Sequence, residues 1–122
     1  MEDLIIRQTN KSPEIKFLAD GRLSITGVSI LENAHEFYKK PIAWLKEYIL
    51  VPAQETVLDI NLDFFNTSSQ VHLFEIISLM SDLQKMGYKV VINWYYSDEE
   101  FRDLGKDISD LIGIDFNFIS VE

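Results

Sequence analysis

Four adjacent polar residues, Asn66-Thr67-Ser68-Ser69, lie where an alternating strand is predicted to end and an amphipathic helix to begin. The start of a helix leaves several backbone N–H groups without partners and carries partial positive charge. Asn, Ser and Thr side chains accept hydrogen bonds there, and a phosphate is favoured at the same place. We interpret the run as a phosphorylation switch, although its spacing alone favours an ordinary helix cap.

A second set of polar side chains, Asp59, Asn61 and Asp63, alternates along the strand before this run. Every second residue of a strand faces the same side, about 7 Å from the previous one, so two of these groups could bind a hard cation. An EF-hand loop is excluded because Phe64 stands where glycine is needed and Gln70 where a bidentate Glu is needed. A solvated strand face explains the same residues, and we predict no metal site.

Other catalytic groups are not assembled by the sequence. His35 and His72 fall on different predicted helices, and neither has a partner at ligand spacing. His72 is the only base near Ser68 and Ser69, but a histidine one turn along a helix rarely reaches a hydroxyl at its cap. The glycines do not cluster into a phosphate-binding loop. We therefore predict no catalytic residues, no cofactor and no enzymatic activity.

Composition narrows the classes of partner. The chain has 122 residues, and 20 acidic against 11 basic side chains give a net charge of −9, which opposes binding to nucleic acid. No apolar run approaches the roughly 18 residues of a membrane span, so no direct membrane insertion is expected. The absence of cysteine and of a signal-peptide pattern indicates a cytoplasmic protein. We expect a single domain over residues 1–122.

Periodicity predicts a mixed α/β fold. Strands are expected over residues 3–9, 14–18, 22–27, 56–65, 88–95 and 115–121, and helices over residues 33–50, 68–86 and 98–112. Pro41 predicts a kink or a restart in the first helix, and Gly105 a break in the last. The first strands should form an antiparallel hairpin, and the later ones parallel βαβ units with right-handed crossovers.

Alternation within the strands predicts two layers. The strand over residues 56–65 sets apolar against polar positions, namely Leu58, Ile60, Leu62 and Phe64 against Asp59, Asn61 and Asp63. A parallel sheet covered on both faces would be continuously apolar, so we expect helices mainly on one face. The opposite, polar face is then a candidate docking surface.

Two further features concern the ends of the strands. Tyr95 and Tyr96 end a strand at the same sheet edge as Thr67, because the carboxyl ends of parallel strands meet there, and ligand sites gather at that edge. An exposed tyrosine there would suit a partner contact, although both side chains also suit packing. The last predicted helix carries an acidic stripe that fits a solvated face better than a recognition patch: Asp98, Glu99, Glu100, Asp103, Asp107 and Asp110.

The motifs in their order resemble the SiaC family of bacterial regulatory phosphoproteins, over essentially the whole chain. The residues that carry the resemblance are Asn33-Ala34, Glu36-Phe37-Tyr38, Pro41-Ile42, Trp44-Leu45, Tyr48, Phe65-Asn66-Thr67-Ser68-Ser69 and Asn93-Trp94-Tyr95-Tyr96. That family resembles the STAS domains of anti-sigma factor antagonists, which implies a STAS-like two-layer fold. The resemblance places the phosphoacceptor at Thr67.

The resemblance also implies a set of partners. These are a serine/threonine kinase with a histidine-kinase-like fold, a metal-dependent serine/threonine phosphatase, and a diguanylate cyclase bound by the unphosphorylated form, in control of biofilm formation. We expect the partner surface to include Phe65, Asn66, Thr67, Ser68, Ser69, Tyr95 and Tyr96, with Ser68 and Ser69 as lesser phosphoacceptors. The alternative is a STAS-like ligand sensor or a small metal-dependent enzyme that uses Asp59 and Asp63.

Overall fold

The computed structural model describes residues 1–121. Over that span the chain forms strands β1 (Leu4–Ile6), β2 (Glu14–Phe17), β3 (Arg22–Ser29), β4 (Glu55–Phe65), β5 (Lys89–Tyr96) and β6 (Asn117–Ser120), and helices α1 (Ala34–Tyr48), α2 (Thr67–Lys85) and α3 (Glu99–Ile112). The predicted elements are all present, and most of their ends differ from the prediction by a few residues.

The strands form one sheet whose spatial order, β1-β2-β3-β4-β5-β6, is the order of the sequence. β1 to β3 pair antiparallel and β3 to β6 pair parallel. Each helical crossover connects a strand to the next strand along the sheet, always towards β6. Such crossovers are right-handed, so α1, α2 and α3 lie on the same face of the sheet. This arrangement confirms the predicted two-layer α/β fold with its antiparallel hairpin and parallel βαβ units.

The hydrophobic core lies between the sheet and these helices. Leu58 and Ile60 of β4 are fully buried on that side, as is Trp94 of β5. The Trp94 ring stacks on Phe101 of α3 and on Phe116, with centroid distances of 5.1 and 5.6 Å. These contacts hold the start of α3 over the end of the sheet.

The helices are more continuous than predicted. α1 runs through Pro41, whose side chain is buried, so the predicted restart is wrong. α3 runs through Gly105, where a Cβ atom would lie 2.5 Å from Nε1 of Trp94. Close packing against the indole therefore explains this glycine, and the predicted break is wrong. None of the helices within residues 1–121 combines the length and the apolar character needed to cross a membrane.

β4 contains a β-bulge near its end. Leu62 pairs with Gly27, and the next residue of β3 pairs with Phe64, so Asp63 is the extra residue. Gly27 has a φ of 118°, a left-handed conformation that favours glycine. Beyond the bulge the alternation reverses: Phe65 is buried, whereas Phe64 is 56% exposed. The predicted inward orientation of Phe64 is wrong for this reason.

Candidate functional site

The predicted cap of α2 is formed by one residue, Asn66. Its Oδ1 accepts a hydrogen bond from the backbone N–H of Ser69 at 3.0 Å, the usual bond of an N-cap side chain. Its Nδ2 donates to the carbonyl oxygen of Leu31 at 3.0 Å, and its backbone N–H donates to the carbonyl oxygen of Ser29 at 2.9 Å. Asn66 thus joins the start of α2 to the end of β3 and the chain after it.

Ser69 lies inside the protein. Its side chain is fully buried, and its Oγ donates to the carbonyl oxygen of Ser29 at 3.0 Å. The Oγ of Ser29 donates in turn to the Oγ of Ser69 at 2.7 Å. A kinase cannot reach this hydroxyl without opening the core, so the geometry argues against Ser69 as a phosphoacceptor or a surface contact.

Tyr38 of α1 completes this buried chain of hydroxyls. Its Oη lies 2.7 Å from the Oγ of Ser29, and because the single Ser29 proton is directed to Ser69, the tyrosine is the donor. Burial raises the pKa of Tyr38 to about 12, and the hydrogen bond to Ser29 opposes this shift. The chain Tyr38–Ser29–Ser69 links α1, β3 and the first turn of α2.

Ser68 occupies an intermediate situation. The residue is exposed, but its Oγ donates to the carbonyl oxygen of Leu31 at 2.9 Å. That carbonyl also accepts from Asn66. The Ser68 hydroxyl is therefore engaged in holding the segment after β3 against the helix.

Thr67 is the first residue of α2 and is exposed to solvent. Among the hydrogen bonds formed by residues 1–121, none involves its hydroxyl. Of the three neighbouring hydroxyls, that of Thr67 thus combines exposure with freedom from a protein partner. A phosphate on it would lie at the positive end of a 19-residue helix.

The neighbouring phenylalanines have exchanged the expected roles. Phe65, expected at the partner surface, is 6% exposed and packs edge-on against Trp94 and Phe101. The bulge turns Phe64 outward in its place. A partner can therefore touch the Phe65 ring only at its small exposed edge, and Phe64 presents most of the aromatic surface.

Tyr95 and Tyr96 are both half-buried, and they face different sides of the sheet. Tyr96 packs against the core on the helix side. Tyr95 alternates with the buried Trp94 and therefore lies on the open face, where partial burial, together with the charge of Asp59, raises its pKa. The two tyrosines do not form one anchor beside Thr67.

Asp59 and Asp63 are separated by the fold. Asp59 accepts a hydrogen bond from Nδ2 of Asn93 at 2.8 Å on the open face, and Asn93 in turn accepts from Asn117 at 3.1 Å. Asp59 lines one groove, whereas Asp63 lies in the bulge and lines another. Among residues 1–121 there is no group of three or more His, Cys, Asp or Glu side chains that could hold a metal ion.

The two histidines, by contrast, are brought together. The rings of His35 and His72 are 5.8 Å apart between centroids, because α1 and α2 pack side by side. The His72 ring also stacks on Tyr38 at 5.6 Å. Sequence spacing within one helix could not show a pair that forms between two helices.

Sequence reasoning missed Ser29 and Leu31, which hold the site in place. Ser29 follows Leu23, Ile25 and Gly27 on the buried side of β3. A serine at a buried position of a strand needs a hydrogen-bond partner. The position of Ser29 in the alternation could therefore have indicated its role. The role of the Leu31 carbonyl oxygen could not be predicted from the sequence, because every residue has the same backbone group.

Comparison with known proteins gives a consistent result. The model of the SiaC family regulatory phosphoprotein matches residues 6–121. An uncharacterized protein of Pseudomonas aeruginosa strain UCBPP-PA14 is 31% identical, over 84% of this chain and 90% of that protein. The structure of SiaC of Pseudomonas aeruginosa superimposes with a TM-score of 0.88 at 27% identity, covering 99% of this chain and 100% of that chain.

A second similar structure contains a partner. It is the diguanylate cyclase SiaD of Pseudomonas aeruginosa in complex with its activator SiaC. This chain matches a chain of that structure with a TM-score of 0.86 at 28% identity, covering 98% of this chain and 100% of that one.

Proposed function

We propose that this chain, which belongs to the SiaC family of regulatory phosphoproteins, is a non-enzymatic adaptor that binds and controls a diguanylate cyclase. In this proposal the unphosphorylated protein binds the cyclase, and phosphorylation of Thr67 releases it. Such a switch would couple a kinase signal to cyclic dinucleotide synthesis and thereby to biofilm formation.

The observation that carries the proposal is the difference between three neighbouring hydroxyls. Thr67 is exposed and has no hydrogen-bond partner within residues 1–121, whereas Ser68 is bonded to a carbonyl and Ser69 is buried. A kinase needs a hydroxyl that can enter its active site without local unfolding. This supports Thr67 as the phosphoacceptor of a family described as phosphoproteins.

The direction of the switch is argued from the size of two electrostatic effects. A phosphate adds about −1.5 to −2 charges, and its gain from the helix start is about 0.3 to 1 kcal/mol. That gain is too small to refold the protein. Burying the same dianion in an interface without paired cations costs several kcal/mol, which corresponds to a hundredfold or more in affinity.

The proposed partners follow from this chemistry and from the relatives. The cyclase is proposed because the similar SiaC of Pseudomonas aeruginosa is described as an activator of SiaD. A serine/threonine kinase with a histidine-kinase-like fold would add the phosphate, and a metal-dependent serine/threonine phosphatase would remove it. Both would act on the exposed start of α2.

The phosphoacceptor is tested by co-expression with the kinase encoded nearest the gene, followed by intact mass measurement and peptide mapping. We expect a gain of one phosphate that is lost in Thr67→Ala and kept in Ser68→Ala, the matched control one residue away. Phosphate mapped to Ser68 or Ser69 in the wild-type protein would make the assignment to Thr67 wrong.

The effector is tested by titrating the unmodified and phosphorylated proteins against the diguanylate cyclase of the same genome, with cyclase activity as a second readout. We expect the unmodified protein and Thr67→Ala to bind, and the phosphorylated protein and Thr67→Glu to bind at least about a hundredfold more weakly. Tighter binding of the phosphorylated form would reverse the proposed switch.

The metal-dependent alternative is not favoured by any contact of Asp59 or Asp63, which line different grooves. This alternative can be tested directly. Turnover of a nucleotide or phosphoester by the purified protein, lost in Asp59→Asn or Asp63→Asn, would support an enzyme and contradict the adaptor.

A further inference from the structure

A groove beside the proposed phosphorylation site combines aromatic rings with carboxylates. It has a volume of about 250 Å³ and lies between the end of β4 and the first turns of α3. Its apolar wall consists of Phe64, Phe65, Phe101 and Leu104, and its acidic rim of Asp63, Asp98 and Glu100. The groove opens at the carboxyl end of the sheet, two residues before Thr67 in the chain.

The bulge in β4 creates this groove. With regular pairing in place of the bulge, the alternation of Leu62 and Asp63 would have continued and Phe64 would face the core. The reversal leaves Phe64 56% exposed, whereas the other phenylalanines are buried or half-buried. Bulges re-aim side chains next to functional sites, so a contact role explains the arrangement.

The rim carboxylates have no cationic partner of their own. None of the ion pairs within the described part of the chain includes Asp63, Asp98 or Glu100. Asp98 caps α3 by accepting from the N–H of Phe101 at 2.8 Å, which leaves its second oxygen outside that bond. The groove therefore offers carboxylates without a cationic side-chain partner beside an exposed ring.

We propose that this groove binds an arginine side chain of the partner cyclase, whose charge is then paired by the rim carboxylates. A guanidinium stacks on an aromatic face and pairs with carboxylates in its plane, which matches the two kinds of wall. A lysine would use the charge but not the stacking. A second copy of this chain is a poor occupant, because each copy carries a net charge of −9.

The groove and the phosphate act through different effects. The groove attracts a cation and anchors it, whereas a phosphate on Thr67 adds a bulky group that must lose its water in the contact. This inference rests on the proposed function for the identity of the partner. The location of the anchor in the groove does not depend on whether Thr67 is the phosphoacceptor.

The test uses the full chain and the diguanylate cyclase of the same genome, with dissociation constants measured from about 50 to about 300 mM salt, a range over which screening of exposed charges increases. Phe64→Ala should weaken binding by about tenfold or more, as for an aromatic anchor. Leu111→Ala truncates an exposed apolar side chain that lies on α3, outside the groove, and should bind like wild type.

The charge is tested separately with the double variant Asp63→Asn/Glu100→Gln. It should weaken binding at low salt and flatten the salt dependence, because neutralised carboxylates no longer attract the cation. Asp82→Asn/Asp107→Asn removes two exposed carboxylates outside the groove and is the matched control. Melting temperatures should remain near that of wild type in all four variants, since the changed side chains are exposed.

The outcomes separate the two proposals. If groove variants bind like wild type while Thr67→Glu binds weakly, the groove is wrong and the switch stands. If groove variants bind weakly while Thr67→Glu binds normally, the groove stands and the switch at Thr67 is wrong. If the wild-type protein does not bind the cyclase, the proposed function is wrong and the groove as a cyclase contact is wrong with it.

Discussion

Two hydroxyls that are two residues apart, those of Thr67 and Ser69, have opposite surroundings. The Ser69 Oγ is bonded within the core to Ser29, which in turn accepts from Tyr38. The Thr67 side chain projects from the first position of the helix into solvent. The same short polar run thus contains one residue that fixes the helix start and one that is available for modification.

Ser69→Ala should therefore destabilise the protein by about 1 to 3 kcal/mol, because it leaves the Ser29 hydroxyl without its buried acceptor. Thr67→Ala should change the free energy of unfolding by no more than about 0.5 kcal/mol, as is usual for an exposed side chain. Urea unfolding of the two variants measures the difference. Equal effects would contradict the buried hydroxyl chain.

Tyr38 provides a test at high pH. Its folded pKa of about 12 lies above the usual tyrosine pKa of about 10, so the fold favours the neutral ring. The stabilising contribution is complete below pH 10 and is lost as the pH rises from 10 towards 12, with a slope of up to about 1.4 kcal/mol per pH unit.

Tyr38→Phe should reduce this slope in urea unfolding measured across the same pH window. The pKa of Tyr95 is raised as well, but Tyr95 is present in both proteins, so the difference isolates Tyr38. Identical slopes for the two proteins would show that the Tyr38 ring is not buried as described.

At the scale of elements, periodicity predicted the strands, the helices and the two-layer arrangement. It failed at Phe64 because alternation assumes an uninterrupted ladder, and the bulge is set by pairing with Gly27 on another strand. It failed at Gly105 because the reason for that glycine is the Trp94 indole, which is remote in sequence. The pairing of His35 with His72 was hidden for the same reason.

Gly105→Ala should destabilise the protein although alanine is the better helix former by about 1 kcal/mol. The added Cβ would lie 2.5 Å from Nε1 of Trp94. Overpacking of this kind costs about 1 to 3 kcal/mol, so a small net loss is expected in urea unfolding followed by tryptophan fluorescence. Asp107→Ala, on an exposed position of the same helix, is the control, and a stability gain in Gly105→Ala above that of the control would refute the packing argument.

At the scale of the whole molecule, the site lies at one end of the sheet, where the carboxyl ends of β3 and β4, the start of α2 and the start of α3 come together. Thr67 is on the outside of this assembly, and the bonds that hold it are made by Asn66, Ser68 and Ser69. A charge added at Thr67 therefore changes a surface without removing a bond that supports the fold.

Thr67→Asp should accordingly keep the circular dichroism spectrum and the melting temperature of the wild-type protein, while its binding to the cyclase is lost. The helix start makes an acidic side chain neutral or slightly stabilising there, by about 0.3 to 1 kcal/mol. Ser69→Asp is the contrasting variant, because its carboxylate would enter the core and lower the melting temperature. Unfolding of Thr67→Asp would indicate a switch that works by local melting.

The order of the strands has a consequence for how the chain reaches this state. Each strand pairs with the one synthesised just before it, so the sheet can grow strand by strand as the chain leaves the ribosome. The packing of side chains is completed later; the indole of Trp94, for example, stacks on Phe101 and Phe116, which are synthesised after it. Until they are made, the apolar surface around this indole stays exposed, and chaperones or aggregation can act on it.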